Sequence, residues 1–205
     1  FERALELDPE DAHHTGNYAL FLKNQRKDYD RAEAMYERAL ELDPENAHHT
    51  GNYAIFLKNQ RKDYDRAEAM FERALALDPE NAHHTGNYAV FLCDQRKNQE
   101  KAEAMYDQAL KLDPEHPNNT GNFSGFLFAN GETDRAMSLL EKAFELAKPP
   151  EEYQDLILEL LFYRLAHVPD ASTQATLQDI VTMLDSGARS PNWPFENNIE
   201  PAVAI

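Results

Sequence analysis

The strongest constraint on this chain is a four-residue motif, Leu-Asp-Pro-Glu, that recurs at a fixed spacing of 35 residues. The copies of this motif begin at Leu7, Leu42, Leu77 and Leu112. Self-similarity at a fixed period of about 20 to 50 residues indicates a row of equivalent structural units, each of which completes its core against its neighbours. The sequence therefore predicts a repeat array rather than one closed domain.

The period divides the chain into segments. Four full units are predicted at 12–46, 47–81, 82–116 and 117–150, and the last of them is one residue shorter than the others. Residues 1–11 match the end of such a unit, so we expect the chain to begin inside a repeat and to be a fragment of a longer protein. A divergent helical pair is predicted at 151–188 and an irregular tail at 189–205.

Each unit contains two predicted helices. In the first unit, apolar residues recur at helical spacing as far as Leu22, and the segment 23–28 is then polar. Asp30 and Glu33 have the spacing of a capping box and predict the start of the second helix there. Pro44 cannot continue a helix and predicts the end of the unit.

These features resemble the tetratricopeptide repeat, a helix–turn–helix unit with a usual period of about 34 residues. The small residue early in the family's second helix matches Ala32, Ala67, Ala102 and Ala136. The aromatic residue matches Tyr36, Phe71 and Tyr106, with Leu140 in the last unit. The second alanine and the closing proline match Ala39, Ala74, Ala109, Ala143, Pro44, Pro79 and Pro114.

The chain departs from the family pattern at three points. Threonine replaces the first-helix tryptophan at Thr15, Thr50, Thr85 and Thr120. The packing glycine is replaced by Ala19, Ala54, Ala89 and Ser124. Three units carry one extra residue, which we place in the turn between the two helices. The resemblance nevertheless implies an all-α, right-handed α-solenoid of helix-turn-helix repeats with a divergent C-terminal helical pair.

The charge and the cysteine content exclude several classes of function. The chain has 37 acidic and 20 basic residues and a net charge of −17, which argues against nucleic acid and against an anionic membrane surface as partners. A single cysteine, Cys93, fits a reducing compartment, so we expect a cytoplasmic protein. No glycine-rich phosphate loop, nucleophile elbow or cofactor motif occurs, and we expect neither catalysis nor a cofactor.

Paired histidines raise the question of a metal site. They occur at His13–His14, His48–His49 and His83–His84. Adjacent helical residues point about 100° apart, and equivalent residues of neighbouring repeats lie about 10 Å apart. Zinc requires its nitrogen ligands at about 2.0–2.1 Å. We therefore expect no metal and interpret the histidines as a pH-sensitive polar surface.

In the resembled family, the first helix of each unit lines the inner face of the array. The corresponding positions in the first unit are His13, Gly16, Asn17, Leu20, Lys23 and Asn24. In the second unit they are His48, Gly51, Asn52, Ile55, Lys58 and Asn59. In the third unit they are His83, Gly86, Asn87, Val90, Cys93 and Asp94. In the fourth unit they are Asn118, Gly121, Asn122, Gly125, Phe128 and Ala129.

Recurrent glycine and asparagine at these positions support two interpretations. A row of asparagine amides, which offer both donors and acceptors, would hydrogen-bond the backbone of an extended peptide, and the glycines would let that backbone approach. The aliphatic positions would then shape side-chain pockets. Alternatively, glycine relieves crowding between successive first helices, and asparagine bonds the neighbouring repeat. Each glycine costs roughly 0.5–1 kcal/mol relative to alanine in a helix, so some compensating role is expected.

The turns add a row of cations at Arg26, Lys27, Arg61, Lys62, Arg96 and Lys97. These either complement the helix dipole or, with Lys23 and Lys58, attract an acidic ligand tail. The sequence thus predicts a non-catalytic scaffold that binds a protein or an extended peptide segment. Two alternatives remain: a regulatory or sensor arm of a larger bacterial signalling protein, and a structural array that self-associates end to end.

Overall fold

The computed structural model describes residue 8, residues 10–148 and residues 153–167. Over these residues the chain is all-α, with helix-turn-helix repeats and no strand, as the sequence predicts. The chain divides into two units, residues 1–112 and residues 113–205. The predicted second helix of the closing pair and the tail 189–205 lie outside the described residues.

The described residues of the first unit form three helical hairpins. The first helices of the hairpins, here called A helices, are α1 (Ala12–Phe21), α3 (Ala47–Phe56) and α5 (Ala82–Phe91). The second helices, here called B helices, are α2 (Tyr29–Leu42), α4 (Tyr64–Leu77) and α6 (Gln99–Leu112). Each A helix packs mainly on the B helix of its own hairpin, and α2 and α4 also contact the next A helix.

Short polar side chains begin the helices. Asp11, Asn46 and Asn81 cap the three A helices, and their side-chain oxygens accept the backbone N–H of the residue three positions later at 2.7–3.0 Å. For the B helix α2 the cap is Asp28, whose carboxylate accepts the N–H of Arg31 at 3.3 Å. The prediction that Asp30 starts this helix was therefore wrong by one to two residues, and the reason is that Asp30 is already inside the first turn.

The extra residue of the 35-residue unit is wound into the A helix itself. After α1, α3 and α5, the chain continues as one π-helical turn over Leu22–Arg26, Leu57–Arg61 and Leu92–Arg96. Each turn ends at a lysine in the left-handed conformation, with φ of 54–57° at Lys27, Lys62 and Lys97. The sequence placed this residue in the connecting loop. A single π turn is the usual way for a helix to absorb one inserted residue, and here it keeps the first residue of the turn buried.

The core between hairpins consists of small and aromatic side chains. Ala32 and Ala39 of α2 are fully buried, and Tyr36 between them stacks on the next A helix. The ring of Tyr36 lies 5.5 Å from Tyr53 and 5.4 Å from Phe56, measured between ring centroids. The next interface repeats this geometry with Phe71 against Tyr88 and Phe91. Offset aromatic pairs of this kind contribute about 0.5–1.5 kcal/mol beyond their buried area.

The second unit contains α7 (Pro117–Ala129), α8 (Thr133–Leu146) and α9 (Gln154–His167). Helix α7 is α-helical throughout, in agreement with the one residue that its repeat lacks, and Gly131 takes the left-handed position with φ of 78°. Helix α9 packs on both α7 and α8. It occupies the segment where the sequence predicts the first helix of the closing pair.

Candidate functional site

The predicted inner-face residues of the first unit form a continuous pattern on the A helices. The non-glycine residues of this pattern are here called the A-helix stripe. They are His13, Asn17, Leu20, Lys23, Asn24, His48, Asn52, Ile55, Lys58, Asn59, His83, Asn87, Val90, Cys93 and Asp94. All of them are exposed or half-buried, whereas the opposite side of each A helix is buried. Caps at the helix starts and π turns at the helix ends keep the three copies in the same register.

Histidine and asparagine of the stripe are paired within each of two helices. Nδ2 of Asn52 lies 3.0 Å from Nε2 of His48, and Nδ2 of Asn87 lies 3.1 Å from Nε2 of His83. The amide of Asn87 also donates to the carbonyl oxygen of His83 at 2.9 Å. Each of these contacts joins residues one helical turn apart, so the two asparagines bond their own helix and not the neighbouring repeat. Their carbonyl oxygens form no hydrogen bond with the part of the chain that the structure describes.

Gly16 and Gly51 pack against the following A helix. The imidazole ring of His49 fills the space in which a Cβ of residue 16 would lie, and the ring of His84 does the same for Gly51. Both glycines are buried. Close packing of successive A helices therefore explains Gly16 and Gly51, and no room remains above them for a peptide backbone.

Two of the six paired histidines are core residues. His49 and His84 are 2% and 1% exposed, although the sequence assigned all six to a polar surface. Burial lowers the pKa of His49, and it lowers the pKa of His84 to about 4. His14, at the same repeat position, is exposed, and its Nδ1 lies 2.9 Å from Oδ2 of Asp11. The expected polar surface is thus limited to His13, His14, His48 and His83.

The lysines of the stripe are partly desolvated. Burial lowers the pKa of Lys58, while Asp94 of the next repeat acts in the opposite direction. Burial also lowers the pKa of Lys23. Neither lysine forms a salt bridge with any residue that the structure describes. Cys93 occupies the same position in the third unit, and burial raises the pKa of its thiol, which agrees with an unactivated cysteine.

The arginines of the turns connect adjacent repeats. Nε of Arg61 lies 2.6 Å from Oε2 of Glu33, and its terminal nitrogen lies 2.7 Å from Oδ1 of Asp30. Arg96 repeats both contacts, at 2.7 Å each, with Glu68 and Asp65. These arginines are therefore bound to the preceding B helix. Of the cations that the sequence offers for an acidic ligand, Lys23 and Lys58 carry no such partner among the described residues.

In the second unit, helix α9 covers part of the corresponding face of α7. A Cβ on Gly121 would lie 2.5 Å from a methyl group of Leu156, and a Cβ on Gly125 would lie 2.5 Å from the ring of Tyr163. Phe128 is buried and stacks on His167 with 4.8 Å between ring centroids. The prediction that Gly121, Gly125 and Phe128 line an open face was wrong, because α9 packs on them. Asn118 is exposed and Asn122 is half-buried.

Sequence reasoning missed the buried imidazoles and the arginine contacts. The signal for the first was the glycine itself: a helix-interior glycine in every repeat indicates that a neighbouring side chain approaches closely. The signal for the arginine contacts was that acidic residues recur on the B helix that precedes each arginine. Within the described residues, no group of three or more His, Cys, Asp or Glu side chains has a geometry that holds a metal ion.

No helix in the described part of the chain combines the length and the apolar character that crossing a membrane requires.

Comparison with solved structures gives the same fold. The chain is 20% identical to PilF of Pseudomonas aeruginosa over 89% of this chain and 80% of that one, with a TM-score of 0.70. For PilW, a widely conserved type IV pilus biogenesis factor, the identity is 22%, the coverage 85% and 78%, and the TM-score 0.72.

A third similar structure is YrrB, a tetratricopeptide repeat protein with an unusual peptide-binding site, at 23% identity, 89% and 91% coverage and a TM-score of 0.58. At these identities the likeness concerns the fold alone. No curated protein matches the chain. Two tetratricopeptide repeat models match it, one at residues 1–47, 23–57 and 56–117 and the other at residues 95–160. The chain therefore belongs to the tetratricopeptide repeat family, whose members are generally non-catalytic scaffolds for protein interactions.

Proposed function

We propose that this protein is a non-catalytic scaffold that binds an extended peptide segment along the A-helix stripe of its first unit. The observation that carries the proposal is the accessibility of the stripe: it repeats over three A helices while the glycines between its members are buried. Repeat arrays commonly use such repeated surfaces for binding. YrrB, which shares the fold, has a peptide-binding site, and this supports the class of ligand.

The asparagines would contact the backbone of the peptide. In Asn52 and Asn87 the amide nitrogen is held by a histidine of the same helix, so the carbonyl oxygen is oriented without further loss of side-chain freedom. An amide held in this way accepts a backbone N–H whatever the peptide sequence is. The glycines take no part in this proposal, because the rings of His49 and His84 occupy the space above two of them.

The aliphatic and cationic members of the stripe would select the side chains of the ligand. Leu20, Ile55 and Val90 differ in shape at one repeat position, which would give each repeat a different apolar pocket. Lys23 and Lys58 are partly desolvated cations without a salt bridge to the described residues, so an acidic group of the ligand would gain a strong partner there. With one cysteine in 205 residues, we propose the cytoplasm as the compartment.

The test compares two double variants with the intact chain. Peptides that bind the 205-residue protein are first selected from a random library. Fluorescence anisotropy then gives their affinities for the intact chain, for Asn52→Ala/Asn87→Ala and for Gln99→Ala/Gln108→Ala. The control removes two exposed amides from the B helix α6. Loss of two hydrogen bonds of about 1 kcal/mol each weakens binding about 30-fold. Equal affinity of all three proteins would refute the asparagine proposal.

Circular dichroism and thermal unfolding accompany this comparison. The asparagine variant is expected to keep the helix content and the unfolding midpoint of the intact chain, since its amides contact only their own helix. Light scattering over a range of concentrations tests the alternative that the chain is a structural array that self-associates end to end. A concentration-dependent mass with no selected peptide would favour the self-assembling array.

A further inference from the structure

Five imidazole rings form a continuous column through the first unit. The centroid of the His13 ring on α1 lies 5.5 Å from that of His49 on α3, and the His48 ring lies 5.7 Å from that of His49. His48 is then 6.3 Å from His84 on α5, and His84 is 5.6 Å from His83. The column thus crosses both interfaces between neighbouring A helices.

Two members of this column, His49 and His84, are buried and carry ring nitrogens without a hydrogen bond to the described residues. Nε2 of His49 and both ring nitrogens of His84 have no partner in the described structure. Each ring lies against the backbone of a glycine, Gly16 for His49 and Gly51 for His84. A protonated imidazole carries two N–H donors and a charge, and burial without partners is costly for both.

Most of the titratable groups that face these two rings disfavour a proton on them. His49 faces His13 from α1, His48 from its own helix and Asp43 from the turn before α3. Only the aspartate favours a proton on His49, and its Oδ2 already accepts the amide of Asn46 at 3.0 Å.

The environment of His84 repeats this arrangement one interface later. His48 faces it from α3, His83 from its own helix α5 and Asp78 from the preceding turn. Burial is the largest influence and, together with the two neighbouring histidines, outweighs the aspartate, so the pKa of His84 is lowered to about 4.

We propose that this imidazole column makes the packing between the A helices of the first unit pH-responsive, so that acquisition of a proton by His49 or His84 in mildly acidic solution separates neighbouring A helices. The proposal stands on helix packing and does not require the peptide-binding function. A residue whose folded pKa is depressed below 6.5 binds the proton more tightly in the unfolded chain. Its neutral form therefore stabilises the fold fully above pH 6.5, and this stabilisation is lost as the pH falls towards the folded value of about 4.

The test replaces both buried rings by a side chain that does not titrate. Asparagine is suitable because the fourth repeat has Asn119 at this position, and Asn119 is 3% exposed. The thermal unfolding midpoint of the intact chain is compared at pH 7 and pH 5 with that of His49→Asn/His84→Asn. The matched control is His14→Asn, the same change at the same repeat position but on an exposed ring.

We expect the intact chain and the control to lose about 4 to 8 °C more between the two pH values than the double variant loses. Equal losses in all three proteins would overturn the proposal. If the double variant does not fold at pH 7, an NMR titration of the ring protons in the intact chain decides the question. A titration of His84 below pH 6.5 supports the proposal, and one at or above pH 6.5 contradicts it.

Discussion

The imidazole ring of His49 lies against the backbone of Gly16, so that one repeat inserts a ring where its neighbour has no side chain. The same relationship holds between His84 and Gly51. It explains why glycine recurs inside a helix, where it costs roughly 0.5–1 kcal/mol relative to alanine. At these two interfaces, the glycine that the sequence suggested as a peptide contact is instead a contact between repeats.

The first prediction concerns this interface. Gly51→Ala gains helix propensity but forces the ring of His84 to move, and overpacking of a close contact costs about 1–3 kcal/mol. We expect a net loss of about 1 to 2 kcal/mol in the free energy of unfolding, measured by urea denaturation. In the double variant Gly51→Ala/His84→Ala the clash is absent, and the effects of the two changes should be non-additive. Strict additivity would show that the ring and the glycine are not coupled.

A second prediction addresses the ionic contacts between repeats. Glu33 is half-buried and accepts Arg61 on one oxygen and Arg66, at 2.9 Å, on the other. Glu33→Gln should lower the free energy of unfolding by about 1 to 2 kcal/mol, because charge-assisted hydrogen bonds become neutral ones. The control is Glu41→Gln, whose exposed side chain contacts only Arg38 of the same helix among the described residues and whose loss should be within about 0.5 kcal/mol. Equal losses in the two variants would contradict an inter-repeat role for Glu33.

The third prediction uses a natural difference between two repeats. Tyr36 is fully buried, and its hydroxyl has no hydrogen-bond partner in the described structure, whereas the next repeat has Phe71 there. Tyr36→Phe should raise the free energy of unfolding by about 1 kcal/mol, since an unsatisfied polar group is removed. Tyr53→Phe is the control with the opposite expected sign, because the Tyr53 hydroxyl donates to Glu37 at 2.9 Å. Destabilisation by both changes would show that Tyr36 does find a partner in solution.

The fourth prediction concerns the left-handed lysines. Lys62 has φ of 57°, a conformation that costs a non-glycine residue about 1–2 kcal/mol. Lys62→Gly should therefore raise the free energy of unfolding by about 0.5 to 1 kcal/mol after the entropy of glycine in the unfolded chain is subtracted. Gln60→Gly, inside the π turn, should instead lower it by about 1 kcal/mol. A loss at both positions would indicate that the lysine side chain has a stabilising contact.

The hairpins could be predicted from the sequence, and the turns between their helices could not. Ala32 and Ala39 recur in every unit and the aromatic of Tyr36 in three of the four, and the repetition of this pattern in register predicted the core of the B helices. The segment 23–28 is polar and carries no apolar period, so nothing in it distinguishes a loop from a π turn. The π turn ends at Lys27, which adopts a positive φ that sequence patterns assign to glycine.

The candidate site was predicted less completely than the fold. The row of asparagines was found because it is periodic, and the structure leaves Asn17 exposed and Asn52 and Asn87 half-buried. Adjacent histidines cannot be separated by periodicity, because either member of His48–His49 could face the neighbouring helix. The position of Gly16 in the preceding helix decides this, and a single repeat read alone does not contain that information.

The most direct test of the central claim, that the A-helix stripe binds an extended peptide, is an NMR titration of the 205-residue chain with a selected peptide. The side-chain amide signals of Asn52 and Asn87 and the backbone signals of α1, α3 and α5 are followed during the titration. We predict that these signals shift together with one dissociation constant, while those of the outer surfaces of α4 and α6 stay in place. Shifts confined to the B helices, with the two asparagine amides unchanged, would contradict the account.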